Sequence, residues 1–173
     1  DRTRDGMIDL IHEFIPEGER YTFEDYVDDD GMGNGPIKLH LEIYREGETV
    51  YLDWTGTDKQ VPGTVNFLLN EQMFKMFTGV FLIMAFDPLL TFNDGYYDLF
   101  EVTLPEGSVV QPEFPAALGN RLPMMARQFD VLQATFSKLI DGFSVAGSYG
   151  TSPNLVYAGT DSEGNDFQML EIL

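Results

Sequence analysis

The sequence contains no cysteine, which excludes disulfide bonds, thiolate nucleophiles and metal sites with cysteine ligands. Basic residues are also scarce, because 10 lysines and arginines stand against 29 aspartates and glutamates, for a formal net charge of −19. Such a charge repels a phosphate backbone, so we expect no nucleic-acid partner. We interpret the acidity as a solvated surface that maintains solubility.

Long apolar runs are absent as well. The most apolar segment, residues 76–86, falls short of the roughly 20 residues that cross a bilayer. The first residues lack the layout of a signal peptide, so we expect a cytoplasmic protein without a membrane segment. The chain starts without methionine and ends in an apolar alternating stretch, 167–173, and we therefore expect it to be a piece of a longer polypeptide.

The two histidines are too few for most histidine-based metal sites. His12 lies on a predicted helix, where we expect it at the surface. His40 shares a strand face with Lys38 and Glu42, so we expect it to face solvent. Neither histidine is a strong candidate for a catalytic base.

The run Asp28-Asp29-Asp30-Gly31 offers clustered carboxylates, which calcium prefers. The spacing of a calcium-binding loop fails, however, because Tyr26 and Ile37 stand where its first and last carboxylates belong. We interpret the run as a solvated turn. The sequence also lacks a Gly-x-Ser-x-Gly elbow and a P-loop, and the catalytic residues stay unknown.

Hydrophobic periodicity predicts a mixture of helices and strands. Helical spacing predicts an opening amphipathic helix that ends near Pro16, a buried helix over 65–86 and a second amphipathic helix over 125–139. Alternation predicts a hairpin of residues 37–44 and 50–55, and short strands over 100–104, 155–158 and 167–170. We therefore predict an α+β fold in which an antiparallel hairpin and short strands pack with two long helices.

A polar loop, residues 55–66, places hydroxyls and amides between the hairpin and the predicted buried helix. Such a loop can line a pocket, and we select Thr57, Gln60 and Asn66 as candidate substrate-lining residues. The alternative is a plain polar connection in which Thr64 or Asn66 caps the helix. Both interpretations stay open.

Several segments, in this order, resemble the middle of hydantoinase B subunits. They are residues 25–31, 53–63, 65–66, 86–88, 93–95, 104–108, 114–117 and 157–161. The resemblance implies that residues 1–173 are a single segment of a hydantoinase B-like domain, part of a larger subunit, with residues 1–23 as the tail of a preceding helical region.

That family resembles one half of two-component, ATP-dependent enzymes: N-methylhydantoinases, 5-oxoprolinases, and the acetone and acetophenone carboxylases. The resemblance implies a hydantoinase A-like partner subunit that binds ATP, a small-molecule substrate and a hetero-oligomer. It also implies a divalent metal in the full subunit, outside this segment, because the family's Asn-Asp-Pro and Gly-Gly-x-His signature does not occur in this sequence. We expect the segment alone to be inactive.

The chain departs from the hydantoinase and oxoprolinase members after Asn93-Asp94-Gly95. Those members usually continue with an aromatic residue, an arginine and a proline, whereas this chain has Tyr96-Tyr97-Asp98-Leu99. Together with residues 73–77, the departure favours the ketone carboxylase branch, in which phosphorylation activates an enolate and bicarbonate. ATP-driven hydrolysis of a cyclic amide is the alternative within the family, and a non-catalytic subunit-assembly module is a third hypothesis.

Overall fold

The computed structural model describes residues 2–144, 146–150 and 154–172, and over these residues the predicted α+β architecture is confirmed. The helices are α1 (Arg2–Phe14), α2 (Glu71–Phe86), a 3₁₀ helix (Asp94–Leu99) and α3 (Leu122–Leu139). The strands are β1 (Arg20–Val27), β2 (Ile37–Glu46), β3 (Thr49–Asp53), β4 (Phe100–Thr103), β5 (Asn154–Thr160) and β6 (Asp166–Ile172).

The main sheet has the strand order β1-β2-β3-β4. The predicted hairpin is confirmed as β2 and β3, which pair in antiparallel register with Tyr44 opposite Tyr51. Gly47, with a φ of 62°, takes the left-handed conformation that this tight turn requires. β4 then pairs with β3 in parallel, through a crossover that contains α2 and the 3₁₀ helix.

β1 was not predicted from the sequence. Residues 20–23, assigned there to the tail of a helical region, and the acidic residues 24–27 form a strand that pairs antiparallel with β2. Every second residue of β1 is at least half-buried, but one of these positions holds Asp25, which interrupts the apolar alternation. The sheet tolerates Asp25 because its carboxylate accepts a hydrogen bond from Arg127 on α3.

The predicted buried helix starts later than expected. Asn70 is the N-cap of α2, since its Oδ1 accepts the backbone N–H of Met73 at 3.0 Å. Residues 65–70 precede the helix in an irregular segment. Apolar side chains of this segment are nevertheless buried, which explains why it looked like part of the helix: Val65, Phe67 and Leu69.

The core lies on one face of the main sheet, where the alternating apolar residues of β2 and β3 meet the helices. α2 contacts the 3₁₀ helix at Gly79, whose backbone lies against the ring of Tyr96. Tyr96 is fully buried, and its hydroxyl donates to the carbonyl of Met76 at 3.0 Å. A side chain at position 79 would collide with this ring, so the contact requires glycine.

β5 and β6 form a second sheet, a two-stranded antiparallel hairpin, and the two predicted C-terminal strands are thereby confirmed. Every residue from 155 to 171 is exposed. Among the described residues, none of the helices combines the length and the apolar character needed to cross a membrane.

Candidate functional site

One end of the main sheet gathers the polar loops of the chain. β1, β3 and β4 finish at this end and β2 begins there, so the loops 28–36, 54–66 and 104–121 are neighbours. Backbone hydrogen bonds join the second and third of these loops, such as the one from the Asn120 N–H to the Thr64 carbonyl at 3.0 Å. We call these three loops the polar end of the sheet.

Thr57 and Gln60 lie in this region, and their side chains bond to other loops and strands. Thr57 Oγ1 accepts the His40 N–H and donates to the His40 carbonyl, at 3.1 Å each. Gln60 pairs with the backbone of Glu113, donating from Nε2 at 3.2 Å and accepting at Oε1 at 2.7 Å. Both side chains therefore hold the loop in place.

Asn66 is fully buried beneath the same loop. Its Oδ1 accepts the Val61 N–H at 2.9 Å, and its Nδ2 donates to the carbonyls of Val61, Gly63 and Ala117 at 2.8–3.0 Å. Both ends of the amide are thus engaged, and Asn66 does not cap α2. A substrate-lining role for Thr57, Gln60 and Asn66 stays a prediction, while the geometry shows three residues that position the loop.

Asp30 connects this loop to the end of β1. The expected solvated turn is correct for Asp28 and Asp29, which are exposed, but wrong for Asp30, which is 3% exposed. Asp30 Oδ2 accepts the Gly63 N–H at 2.9 Å, and its carboxylate also accepts the backbone and side-chain N–H groups of Asn34 at 2.9–3.0 Å. The two loops therefore meet on one buried carboxylate.

The protonation of Asp30 follows from these contacts. Burial alone raises the pKa of the carboxyl, but the hydrogen bonds from Asn34, Met32 and Gly63 stabilise the ionised form more strongly and lower the pKa to about 2. Asp30 is consequently a carboxylate at neutral pH and serves as a fixed acceptor.

The histidines differ in their surroundings. His12 is exposed, as expected. His40 is half-buried and not fully in solvent, because the loop folds over it at Gly56, and its Nδ1 is buried without a hydrogen-bond partner in the described part of the chain. Over residues 2–144, 146–150 and 154–172, no three His, Asp or Glu side chains are arranged to hold a metal ion. These residues thus do not fit the divalent metal that the resemblance implies.

A polar pocket of about 280 Å³ opens between the end of β1 and the first turns of α3, next to the loop of Asp30. No sequence pattern predicts this pocket, because its residues come from three distant parts of the chain. The lining residues are Tyr26, Val27, Asp28, Asp29, Pro123, Arg127, Tyr149 and Gly150.

Arg127 is held in this pocket by two carboxylates. Its Nη1 lies 2.7 Å from Asp25 Oδ2 and 3.3 Å from Asp130 Oδ2. Asp130 is itself fixed, since it accepts the N–H and the hydroxyl of Ser148 at 2.9 and 2.8 Å. The arginine charge is thereby neutralised, and the exposed carboxylates of Asp28 and Asp29 leave the pocket electronegative. Such a pocket suits a small polar molecule that donates hydrogen bonds.

A second cavity, an apolar groove of about 400 Å³, runs between α2 and α3. It offers packing surface and a single amide, with none of the charged groups of the polar pocket. Its lining residues are Phe77, Val80, Phe81, Met84, Ala85, Phe129, Leu132 and Gln133.

Comparison with known proteins adds a family and a fold. The sequence profile of the family described as Hydantoinase B/oxoprolinase matches residues 1–173. None of the curated proteins matches the sequence closely enough to count as a relative.

Among solved structures, the chain is similar to the ATP-dependent caprolactamase from Pseudomonas jessenii, with a TM-score of 0.76 and 20% identity over 97% of this chain and 28% of that chain. It is also similar to acetone carboxylase in a nucleotide-free structure, with a TM-score of 0.67 and 17% identity over 98% of this chain and 24% of that chain. The chain therefore spans about a quarter of the length of either protein, and the likeness shows a shared fold.

Proposed function

The chain belongs to the hydantoinase B/oxoprolinase family, and we therefore propose that it is a segment of the hydantoinase B-like subunit of an ATP-dependent enzyme complex that acts on a small carbonyl compound. The observation that carries the proposal is the family match over residues 1–173. Two proteins of similar fold support it, because both are named for ATP-dependent reactions of carbonyl compounds.

In this proposal the work of the complex is divided among its parts. ATP binds to a hydantoinase A-like partner subunit, and the divalent metal lies in the hydantoinase B-like subunit outside residues 1–173. The complex is a cytoplasmic hetero-oligomer, and the segment alone is inactive.

We assign the polar end of the sheet to the substrate side of the subunit. Its loop is held by Thr57, Gln60 and Asn66, and the adjoining pocket offers the carboxylates of Asp28 and Asp29 to a small polar molecule. A loop fixed by buried side chains can present its backbone groups in one geometry, which positioning of a small substrate requires.

Ketone carboxylation is the finer function that we put first. It rests on Tyr96-Tyr97-Asp98-Leu99, where hydantoinase and oxoprolinase members usually have an aromatic residue, an arginine and a proline. The aromatic residue of the pattern is kept as the buried Tyr96. The departure itself lies at the half-buried Tyr97 and at the exposed Asp98, whose carboxylate pairs with Arg4 at 3.3 Å. The departure therefore supports membership of one branch of the family, and it does not imply that these residues contact the substrate.

Ring opening of a cyclic amide is the second candidate. The observation that favours it is the structural likeness, since the TM-score with the caprolactamase is 0.76 and that with acetone carboxylase is 0.67. Both candidate reactions use ATP and a carbonyl compound. Carboxylation also requires bicarbonate, whereas ring opening requires water.

The natural complex, isolated with its partner subunit, tests the two candidates by phosphate release from ATP. Turnover that needs acetone or acetophenone together with bicarbonate supports carboxylation. Turnover with caprolactam, hydantoin or 5-oxoproline in the absence of bicarbonate replaces carboxylation with ring opening. A complex that assembles but turns over none of these compounds contradicts both and favours the assembly module.

The same assay tests the loop. Thr57→Val removes both hydrogen bonds to His40, and we expect turnover to fall by roughly ten- to a hundredfold while the complex still assembles. Thr55→Val is the matched control, because Thr55 is exposed in the same loop. Equal activity of the two variants would contradict the positioning role.

A further inference from the structure

Both faces of the β5–β6 hairpin are open to solvent, and its large apolar side chains are concentrated on one of them, since among residues 155–171 the opposite face carries only Val156 and Leu170. In the antiparallel register, Tyr157 lies opposite Met169 and Gly159 opposite Phe167, so these side chains share one face with Leu155. The four large apolar residues of this face are 38–51% exposed: Leu155, Tyr157, Phe167 and Met169. We call this set the hairpin face.

A two-stranded hairpin is at best marginally stable in water, and three or more strands or a packed partner are needed for independent stability. Here the contacts within the hairpin are modest. The ring of Phe167 lies over Gly159, and the Tyr157 hydroxyl donates to Glu171 at 3.2 Å. Because residues 155–171 are all exposed, the fold described so far leaves the hairpin face without cover.

The negative charge of the hairpin limits which kind of segment can pack on the hairpin face. Residues 155–171 contain four acidic residues and no lysine, arginine or histidine: Asp161, Glu163, Asp166 and Glu171. A second copy of this chain would bring the same acidic hairpin, and its net charge of −19, against the first copy. Like charges at an interface are repulsive, so the fitting occupant is an apolar segment flanked by basic residues.

The source of that segment follows from the size of the similar proteins. The caprolactamase and acetone carboxylase match 97% and 98% of this chain, which leaves most of the hairpin inside the matched region. Only 28% and 24% of those polypeptides are matched, so most of each chain lies elsewhere. In such a fold, segments of the same polypeptide are the nearest source of cover.

We propose that the hairpin face is packed against another stretch of its own polypeptide, outside residues 1–173, with apolar side chains and flanking lysine or arginine. The inference rests on the proposed function, under which residues 1–173 are a segment of a larger subunit. It assigns the hairpin to the internal packing of that subunit, and not to the contact with the partner subunit or with a second copy.

Site-specific photo-cross-linking in the natural complex tests the proposal. The photoreactive residue p-benzoylphenylalanine is placed at Phe167, on the hairpin face, and in a matched control at Gln168, on the opposite face. We expect position 167 to cross-link within its own polypeptide, to a peptide outside residues 1–173 that contains lysine or arginine. Position 168 should not yield that product.

A substitution pair strengthens the test. Met169→Glu places a charge on the hairpin face and should abolish the cross-link from position 167, whereas Gln168→Glu should retain it. The proposal is overturned if position 167 cross-links to a second polypeptide, to residues within 1–173, or to nothing. The intact mass of the natural polypeptide distinguishes failure of the proposed function from failure of the hairpin proposal. A mass near 19.5 kDa overturns the proposed function itself. A larger mass without the internal cross-link overturns the hairpin proposal alone.

Discussion

Asp30 and Asn66 show how single buried side chains position the loops of the polar end. Asp30 joins the turn after β1 to Gly63, and Asn66 joins its own loop to the loop of Ala117 through one amide. A buried polar group that loses its partner costs about 1–3 kcal/mol, so each contact specifies one loop geometry strongly.

Asp30→Asn should lower the free energy of unfolding at pH 7. The pKa of Asp30 in the folded chain, about 2, lies below its ordinary value of 3.8, so the ionised carboxylate stabilises the fold above pH 3.8. This stabilisation is lost as the pH falls through about 2. Urea unfolding at several pH values should therefore give a lower free energy of unfolding for the variant than for the unmodified chain. The difference should be largest at neutral pH and should decrease as the pH falls below 3.8. Asp28→Asn, an exposed neighbour, is the control and should show little deficit. A difference in the free energy of unfolding that does not change with pH would contradict the stabilising role of the ionised Asp30 carboxylate.

At this scale, the sequence revealed only part of the candidate site. Thr57, Gln60 and Asn66 could be selected because they are polar residues of one loop between apolar elements. Asp25, Arg127 and Ser148 could not, because nothing in the sequence indicates that Arg127 pairs with the distant Asp25. The link from Arg127 to Ser148 through Asp130 was equally unpredictable. The burial of Asp30 was equally hidden, since three consecutive aspartates look like a solvated turn.

At the scale of elements, local patterns predicted what short-range physics controls. The β2–β3 hairpin and α3 have regular apolar periodicity, and both were found. β1 was missed because its inward position at Asp25 is satisfied by α3, a tertiary contact. α2 was predicted too long, because three apolar residues before it, Val65, Phe67 and Leu69, are buried without being helical. Asn70 could have indicated the true start.

Gly79→Ala should destabilise the chain even though alanine favours helices. The added methyl group would meet the buried ring of Tyr96, and such overpacking costs roughly 1–3 kcal/mol, more than the gain in helix propensity of about 1 kcal/mol. Gly6→Ala in α1 is the matched control, because its methyl group would meet only the flexible end of Leu90. Thermal unfolding should give a lower Tm for the first variant than for the second. Equal Tm values would show that the Tyr96 ring moves aside freely.

At the scale of the whole molecule, repulsion among acidic groups dominates the electrostatics. The 29 acidic residues outnumber the 10 basic ones, and surface ion pairs such as Arg20–Glu42 are screened by solvent and contribute little to stability. Screening therefore relieves more repulsion than it removes attraction.

Raising the salt concentration from about 0.01 M to about 0.15 M should consequently raise the Tm at pH 7. The effect should shrink near pH 4.1, where the sequence carries little net charge. Differential scanning calorimetry at both pH values checks this. A Tm that falls with salt, or rises equally at both pH values, would show that favourable ion pairs outweigh the repulsion.

The parallel pairing of β3 with β4 has a consequence for the order of events when the chain folds. β1, β2 and β3 can assemble as consecutive antiparallel neighbours, each closing a short loop. β4 can join only after the chain has returned through α2 and the 3₁₀ helix, which makes its docking the most distant closure of the main sheet. Because the entropic cost of closing a long loop comes before any stabilising contact, we expect β4 to dock after the other strands of the main sheet. The contact of Gly79 with Tyr96 sits within that returning segment, so it couples the last step of sheet formation to the packing of a helix.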